Sequence, residues 1–345
     1  MPSQARWRVA VPNVREFATS AASLSSESQL ATMGLPIDTR YFRCFMRVHG
    51  VRKIERGVEL DVEEERMRIE AIRPDILRIK ISRSGSFDDH PTFAVCADLD
   101  ADAPPEFTVE ETDEQVRIAT AQMSVTVGKQ PFSIASHRAD GTTIFESATD
   151  AEGRSWAYAT LNDDFITARS CLREDAFFGL GERSGRFNRK GRNFMLWNTD
   201  VLNDVTERDA EILYGKDDPR AVVRGTDFDP YYVSIPLFYH LPHQHHGMAG
   251  FFFDNGYRGD FEFEDPLEYR VHFSGGQYTE YIFCGPAMRG ILSAYTWLTG
   301  RMAAPPMWAL GHHQCRWFAY TQQAVEQLAT THRDKRIPTD AVWLD

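Results

Sequence analysis

GRMAAPPMWALGHHQCRWFAYTQQAVEQLATTHRDKRIPTDAVWLD, residues Gly300 to Asp345, is the stretch from which the fold is read. It divides into an apolar run Met307–Gly311 behind the double proline Pro305-Pro306, a mixed stretch Thr321–Lys335, and a second apolar run Ala341–Leu344 closed by Asp345. Thr321 suits an N-cap, because its hydroxyl can accept from an orphan N–H of the first turn. Ala324, Val325, Leu328 and His332 recur at three- and four-residue spacing, which predicts a helix over Thr321–Lys335. Ile337-Pro338 stops it, since proline disfavours the helical conformation of the residue before it. Two short apolar strands around one helix, Met307–Gly311 and Ala341–Leu344, pack most simply as a right-handed βαβ unit with parallel strands.

Chemistry in parallel α/β folds gathers at the carboxyl ends of the strands. Those ends carry Arg316 and Trp317 on one strand and Asp345 on the other. An aromatic face beside a carboxylate suits a sugar: the ring covers the apolar C–H face of a pyranose, and the carboxylate accepts paired hydroxyl hydrogen bonds. By residue type alone, Trp317 serves equally as a core residue and Asp345 as a loop cap.

Eight stretches of sequence, two near the end and six upstream, carry a resemblance. PPMWALGHHQCRW (Pro305–Trp317), followed by a helix and IPTDAVWLD (Ile337–Asp345), resembles the opening of the catalytic barrel in family 31 of the glycoside hydrolases, the family of α-glucosidases and α-xylosidases. Upstream, FFGLGERSGRFNRKG (Phe177–Gly191), WNTD (Trp197–Asp200), DPYYVSIPLF (Asp229–Phe238), GFFFDN (Gly250–Asn255), YIFCGP (Tyr281–Pro286) and LTGR (Leu298–Arg301) are similar to the same family in the same order. The resemblance implies a galactose-mutarotase-like β-sandwich followed by the first βαβ unit of a (β/α)8 TIM barrel. It further implies a retaining mechanism through two carboxylates, a nucleophile and an acid/base. In the family both lie on later barrel strands, so they are expected beyond residue 345 and the chain is read as a fragment. The substrate-binding residues implied here are Asp345, holding hydroxyls of the cleaved sugar, Trp317, walling that subsite, and Asp200, facing the leaving-group side. His313 or Arg316 is expected near the pocket floor. No cofactor is implied, and the partner is an oligosaccharide or α-glycoside.

The bulk composition agrees. The chain has 345 residues, 42% hydrophobic and 12% aromatic, enough for one large or two ordinary domains. A net charge of -12 argues against nucleic acid or an anionic membrane as partner, since both demand clustered Lys and Arg. A neutral carbohydrate is indifferent to that charge, and nothing in the composition opposes a homo-oligomer. Five scattered cysteines, Cys44, Cys96, Cys171, Cys284 and Cys315, make a disulfide framework unattractive and a reducing, cytoplasmic location the expectation. The apolar run Val9–Pro12 is too short for a signal or membrane segment.

Along the chain, residues 1–40 read as a loosely packed arm rich in Ala, Ser and Thr. From Tyr41 the period becomes two: Val58, Leu60 and Val62, then Met67, Ile69 and Ala71, then Leu77, Ile79 and Ile81 alternate with polar residues, predicting antiparallel strands with one wet face. The sandwich is expected over residues 41–290. Gly179-Leu180-Gly181 reads as a turn into the loop Arg183–Asp200, and Val201–Thr226 as a charged insertion at the pocket rim. The histidines of YHLPHQHHGM (His240, His243, His245, His246) lack a familiar metal spacing and read as a loop. His312, His313 and Cys315 are poorly placed for joint ligation, because strand alternation separates them. Ala287–Leu298 has helical spacing with Ile291, Leu292, Tyr295 and Leu298 on one face, and with residues 291–345 forms the connector and barrel start. Two other readings compete: a non-catalytic carbohydrate-binding sandwich, and an aldose epimerase, which needs a His and Glu pair on the sandwich's concave face.

Overall fold

The computed structural model describes residues 39–87, 93–99, 103–183, 185–198, 232–243, 247–316 and 318–344. The arm before residue 39, the insertion Val201–Thr226, and His245 and His246 lie outside the described residues. The chain divides into two compact units between Thr299 and Gly300.

The first unit is mainly β, with strands numbered β1 to β19 in chain order. One sheet has the order β1 (Arg43–Cys44), β11 (Ala159–Leu161), β12 (Asp164–Ser170), β18 (Glu268–Phe273), β17 (Gly259–Glu262), β14 (Asn193–Leu196). A larger sheet runs β13 (Ala176–Gly181), β15 (Ser234–Leu241), β16 (Met248–Phe253), β19 (Tyr278–Gly285), β5 (Ile76–Ser82), β4 (Glu65–Arg73), β3 (Gly57–Val62), β2 (Val48–Ile54). The third runs β10 (Thr143–Glu146), β9 (Phe132–Arg138), β8 (Met123–Lys129), β7 (Gln115–Thr120), β6 (Phe107–Glu111). Neighbours pair antiparallel throughout, and one buried apolar cluster draws on all three sheets.

Aromatic residues hold the first two sheets together. Phe177, Phe238 and Phe253 of the larger sheet meet Phe263, Phe261 and Phe273 at ring separations of 4.6, 5.9 and 5.7 Å. These are offset or edge contacts of the kind that add to simple area burial.

Two inner strands of the larger sheet have no wet face. Every residue of β16 and β19 is buried. Phe251, Phe253 and Ile282 face the inter-sheet core, while the alternate residues Phe252, Tyr281 and Phe283 form a second cluster under helix α1 (Met288–Thr299). The stripe that α1 buries is Ile291, Ala294 and Leu298, and Leu292, expected on it, is 47% exposed. Tyr295 sits at the margin, its ring 5.3 Å from Phe252. Gly250 is required beneath the helix: a Cβ there would lie 2.5 Å from Ile291 Cγ2. Because α1 packs on this sheet, it stays with the sandwich, and the chain divides at Thr299 and Gly300 rather than at 290/291.

Toward β2–β5 the outer face is charged yet largely buried. Glu59 lies across from Arg52 and Arg68, accepting from them at 2.5 and 2.8 Å, and Glu70 accepts from Arg78 at 2.8 Å. Burial alone raises the Glu59 pKa, but the two guanidinium groups overcome it and hold the carboxyl below its ordinary value. Arg68 and Lys80 are like charges directly opposite, and Phe87 lies over both, 4.1 and 5.5 Å from its ring centroid.

The glycine pair Gly179 and Gly181 is a strand irregularity and not a turn. Residues 179–181 have φ of 112, 69 and 79°, and the register of β13 against β15 shifts there. A Cβ on Gly179 would approach Leu237 O to 2.5 Å, which explains glycine in this bulge.

In the second unit, Met307–Leu310 is a 3-10 turn and not the first strand. Pro306, extended at ψ 157°, accepts from Ala309 N, and Trp308 O from Gly311 N, so i→i+3 bonds close the run. The first strand follows as β20 (His313–Gln314), paired parallel with β21 (Ala341–Val342), with helix α2 (Gln322–Asp334) between them in sequence. Thr321 caps α2, its Oγ1 accepting from Ala324 N at 3.2 Å.

Candidate functional site

The parallel pair β20 and β21 is in register, His313 opposite Ala341 and Gln314 opposite Val342. Hydrogen bonds extend the ladder at both ends: Asp340 N to His312 O at 2.8 Å and Trp343 N to Gln314 O at 2.9 Å. Asp340 also accepts from His312 N at 3.1 Å, and Gly311 leaves room for that carboxylate, since a Cβ there would be 1.8 Å from Oδ2.

His313 lies between two indoles. Its ring is 6.0 Å from Trp308 at 15° and 5.8 Å from Trp343. Trp343 Nε1 donates to His313 Nδ1 at 3.0 Å, and His313 Nε2 is 3.2 Å from Trp308 O. An indole N–H can only donate and a carbonyl can only accept, so these contacts define a neutral imidazole protonated on Nε2. Both ring nitrogens are thus used within the unit. Arg316 is exposed, its guanidinium 4.2 Å from the Phe318 ring centroid and 5.9 Å from that of Tyr320. Trp317, Asp345 and Asp200 lie outside the described residues.

The sandwich holds polar clusters that the sequence reading missed. His240 is in β15, buried, with Nε2 2.9 Å from Asp175 Oδ2 and its ring stacked on Phe177 at 4.8 Å. Burial opposes ionisation of Asp175, but bonds from His240, Leu172 N and His243 N overcome it and bring the carboxyl down to about 2. His240 therefore belongs to a strand and not to the histidine-rich loop. Its place in the period-two run Phe238, His240 was the available signal. His272 of β18 is held by two carboxylates, Nδ1 to Asp260 and Nε2 to Asp164, each at 3.2 Å. Burial lowers an imidazole pKa, yet these two bonds raise it to about 9. Arg169 of β12 and Glu280 of β19 join the two sheets through a 2.6 Å ion pair, with Tyr278 donating to the same oxygen at 2.6 Å. Among the described residues, no group of three or more His, Cys, Asp or Glu has the geometry of a metal site. Nor is any described helix long and apolar enough to cross a membrane.

Comparison with known proteins places these features. Residues 66–262 match the glycosyl hydrolase 31 N-terminal galactose mutarotase-like domain, and residues 302–345 match the glycosyl hydrolases family 31 TIM-barrel domain. The sandwich and the parallel unit together define a galactose-mutarotase-like domain leading into a TIM barrel. The chain belongs to glycosyl hydrolase family 31. Alpha-glucosidase 2 of Bacillus thermoamyloliquefaciens is 32% identical over 281 residues, covering 81% of this chain and 32% of that protein. Alpha-xylosidase 1 of Arabidopsis thaliana is 27% identical over 233 residues, covering 66% and 22%. A dextranase of this family from Flavobacterium johnsoniae, solved with isomaltotriose, superposes with a TM-score of 0.72 at 25% identity, covering 87% of this chain and 34% of that one. The α-1,4-glucan lyase of Gracilariopsis lemaneiformis has the same fold, with a TM-score of 0.73 at 14% identity over 89% of this chain and 37% of that one. The chain spans about a third or less of the length of these curated relatives.

Proposed function

We propose that this chain is the N-terminal, substrate-positioning part of a retaining α-glycoside hydrolase, α-glucosidase-like, that cleaves terminal α-linked sugars from oligosaccharides. The observation that carries the reading is the in-register parallel pair β20 and β21 inside the stretch that matches the family's barrel. Trp317 and Asp345 each stand three positions beyond the last residue of their strand, Gln314 and Val342. Equal offsets from paired residues at the carboxyl end of a parallel sheet support a shared sugar subsite, Asp345 accepting from hydroxyls and Trp317 covering the ring. Asp200 serves the leaving-group side. His313 acts behind this subsite by holding the indole of Trp343, and Arg316 with Phe318 borders it. The working division is an arm to residue 40, a sandwich that carries α1 and ends at Thr299, and the barrel start from Gly300 on, in a cytoplasmic protein that assembles with itself or acts alone.

The nucleophile and acid/base of a retaining enzyme belong to later barrel strands, so the 345-residue chain has neither covalent partner nor proton donor for the two-step reaction. An aryl α-glucoside assay tests this. The chain alone is expected to give no turnover above a matched mock purification, and the protein continued through the remaining barrel strands is expected to hydrolyse it. Turnover by the 345-residue chain, or none by the continued enzyme, contradicts the reading. A sugar-binding sandwich without catalysis is the outcome that the second result would favour.

A further inference from the structure

Cys171 follows β12 directly and is 8% exposed, and Lys190 lies in the segment between β13 and β14. Lys190 Nζ donates to Cys171 Sγ at 2.9 Å and to Pro266 O at 3.2 Å, and it lies 5.4 Å from the Phe177 ring centroid. The backbone holds the sulfur in turn: Cys171 N donates to Leu267 O at 2.8 Å, and Sγ is 3.8 Å from Pro266 O. An amine and a thiol are thus fixed against each other by the same carbonyl, beside the Phe177 ring on which His240 stacks.

We propose that Cys171 and Lys190 form a redox modification site at which peroxide joins Sγ to Nζ through a single oxygen atom. The geometry selects this product over a direct bond. A sulfur–sulfur bond is about 2.0 Å and a sulfur–nitrogen bond is shorter, so direct closure must draw the two atoms together by about an ångström. One oxygen inserted between atoms 2.9 Å apart needs far less movement. The thiolate attacks one hydrogen peroxide, forming Sγ–OH and releasing water, with Lys190 supplying the proton. The freed amine attacks a second peroxide, forming Nζ–OH and a second water. Condensation of Sγ–OH with Nζ–OH then expels a third water and leaves Sγ–O–Nζ. Sulfur and nitrogen each lose two electrons, and each peroxide accepts two. Burial pushes the Cys171 thiol up and the Lys190 contact pulls it down, which makes the first step slow and dependent on that amine.

The link would have a mechanical consequence. Residues 187–190 already lie along β13: Asn188 Oδ1 accepts from Phe177 N at 3.0 Å, Arg189 N donates to Phe177 O at 2.7 Å, and Phe187 packs 5.1 Å from Phe178. A covalent bridge from Lys190 to Cys171 closes that segment around the strand.

Treating the purified chain with hydrogen peroxide, quenching, digesting and mapping by mass spectrometry tests the proposal. The expected product is one linked peptide pair carrying Cys171 and Lys190, heavier than its two parts by one oxygen less two hydrogens. It should separate again on treatment with a dithiol and be missing from Cys171→Ser and Lys190→Gln. Amide exchange of residues 186–191 should slow on oxidation and recover on reduction. Oxidation of Cys171 to sulfinic acid with Lys190 unmodified overturns the proposal, as does a linked pair lacking the added oxygen. Because the mapping is done on the unaltered chain, a variant that fails to fold leaves the result decisive.

Discussion

The His272 clamp makes a pH prediction whose size follows from its geometry. Two carboxylates, on β12 and β17, grip one buried imidazole on β18, and the imidazole titrates at about 9 instead of 6.5. A group whose pKa is raised by folding stabilises fully below its unfolded value, and that stability is lost as pH rises through the folded value. The window therefore lies between about 6.5 and about 9. At about 1.4 kcal/mol per pH unit, the displacement corresponds to about 3 kcal/mol. Asp164 is 36% exposed, and solvent screening of its half of the clamp brings the expectation to about 2 kcal/mol. Urea unfolding of the wild type and of His272→Gln should be compared at about pH 6 and about pH 10, reading the difference between the proteins at each pH so that other titrating groups cancel. The wild type should lose about 2 kcal/mol more than the variant on going to high pH. An equal difference at both pH values would refute a charged imidazole in this place.

Three further outcomes are expected. Arg169→Met leaves Glu280 buried without its partner and should destabilise the sandwich by about 3–5 kcal/mol in chemical denaturation, whereas Arg169→Met with Glu280→Gln should recover part of that loss. Equal stabilities of the single and double variants would show the pair to be uncoupled. Truncation after Arg301 should raise the soluble monomer fraction in size-exclusion chromatography, because Met307 is 83% exposed, Leu310 68% and Leu344 70%, and α2 buries no residue. Indistinguishable profiles for the two proteins would contradict it. Gly250→Ala should destabilise by about 1–3 kcal/mol through the clash with Ile291 Cγ2, measured by thermal unfolding, and should cost less in an Ile291→Ala background, where that atom is gone.

What the sequence made legible follows the strength of its local signals. Thr321 with the spacing Ala324, Val325 and Leu328 marked α2 to within a residue at each end, because cap chemistry and helical period agree. The run Met307–Leu310 misled because a short apolar segment does not distinguish a strand from a turn of helix, and the hydrogen bond from Ala309 N to Pro306 O decides it. The strands of the larger sheet were legible, but their second face was not: Phe252, Tyr281 and Phe283 are buried by α1, a packing partner that no alternation within the strand reveals. Buried pairs such as His240 with Asp175, 65 residues apart, and Arg169 with Glu280, 111 apart, depend on strand order across the sheets, which local periodicity does not encode. The register of β20 on β21 was legible only as parallel pairing. The neutral tautomer of His313 became readable once Trp308 and Trp343 were found on either side of it.

The central claim is that Asp345 holds the sugar, and steady-state kinetics of Asp345→Ala in the enzyme continued through the rest of its barrel tests it most directly. Charged hydrogen bonds to sugar hydroxyls contribute about 1.5–3 kcal/mol each and strengthen as the ring distorts toward the oxocarbenium-like transition state. Losing one or two should lower kcat/KM by roughly ten- to several-thousand-fold, with the variant's circular dichroism unchanged. Trp317→Phe, which keeps an aromatic wall, should cost about tenfold or less. An Asp345→Ala enzyme within about threefold of wild type, a difference of well under 1 kcal/mol, would remove Asp345 from the site and contradict the account.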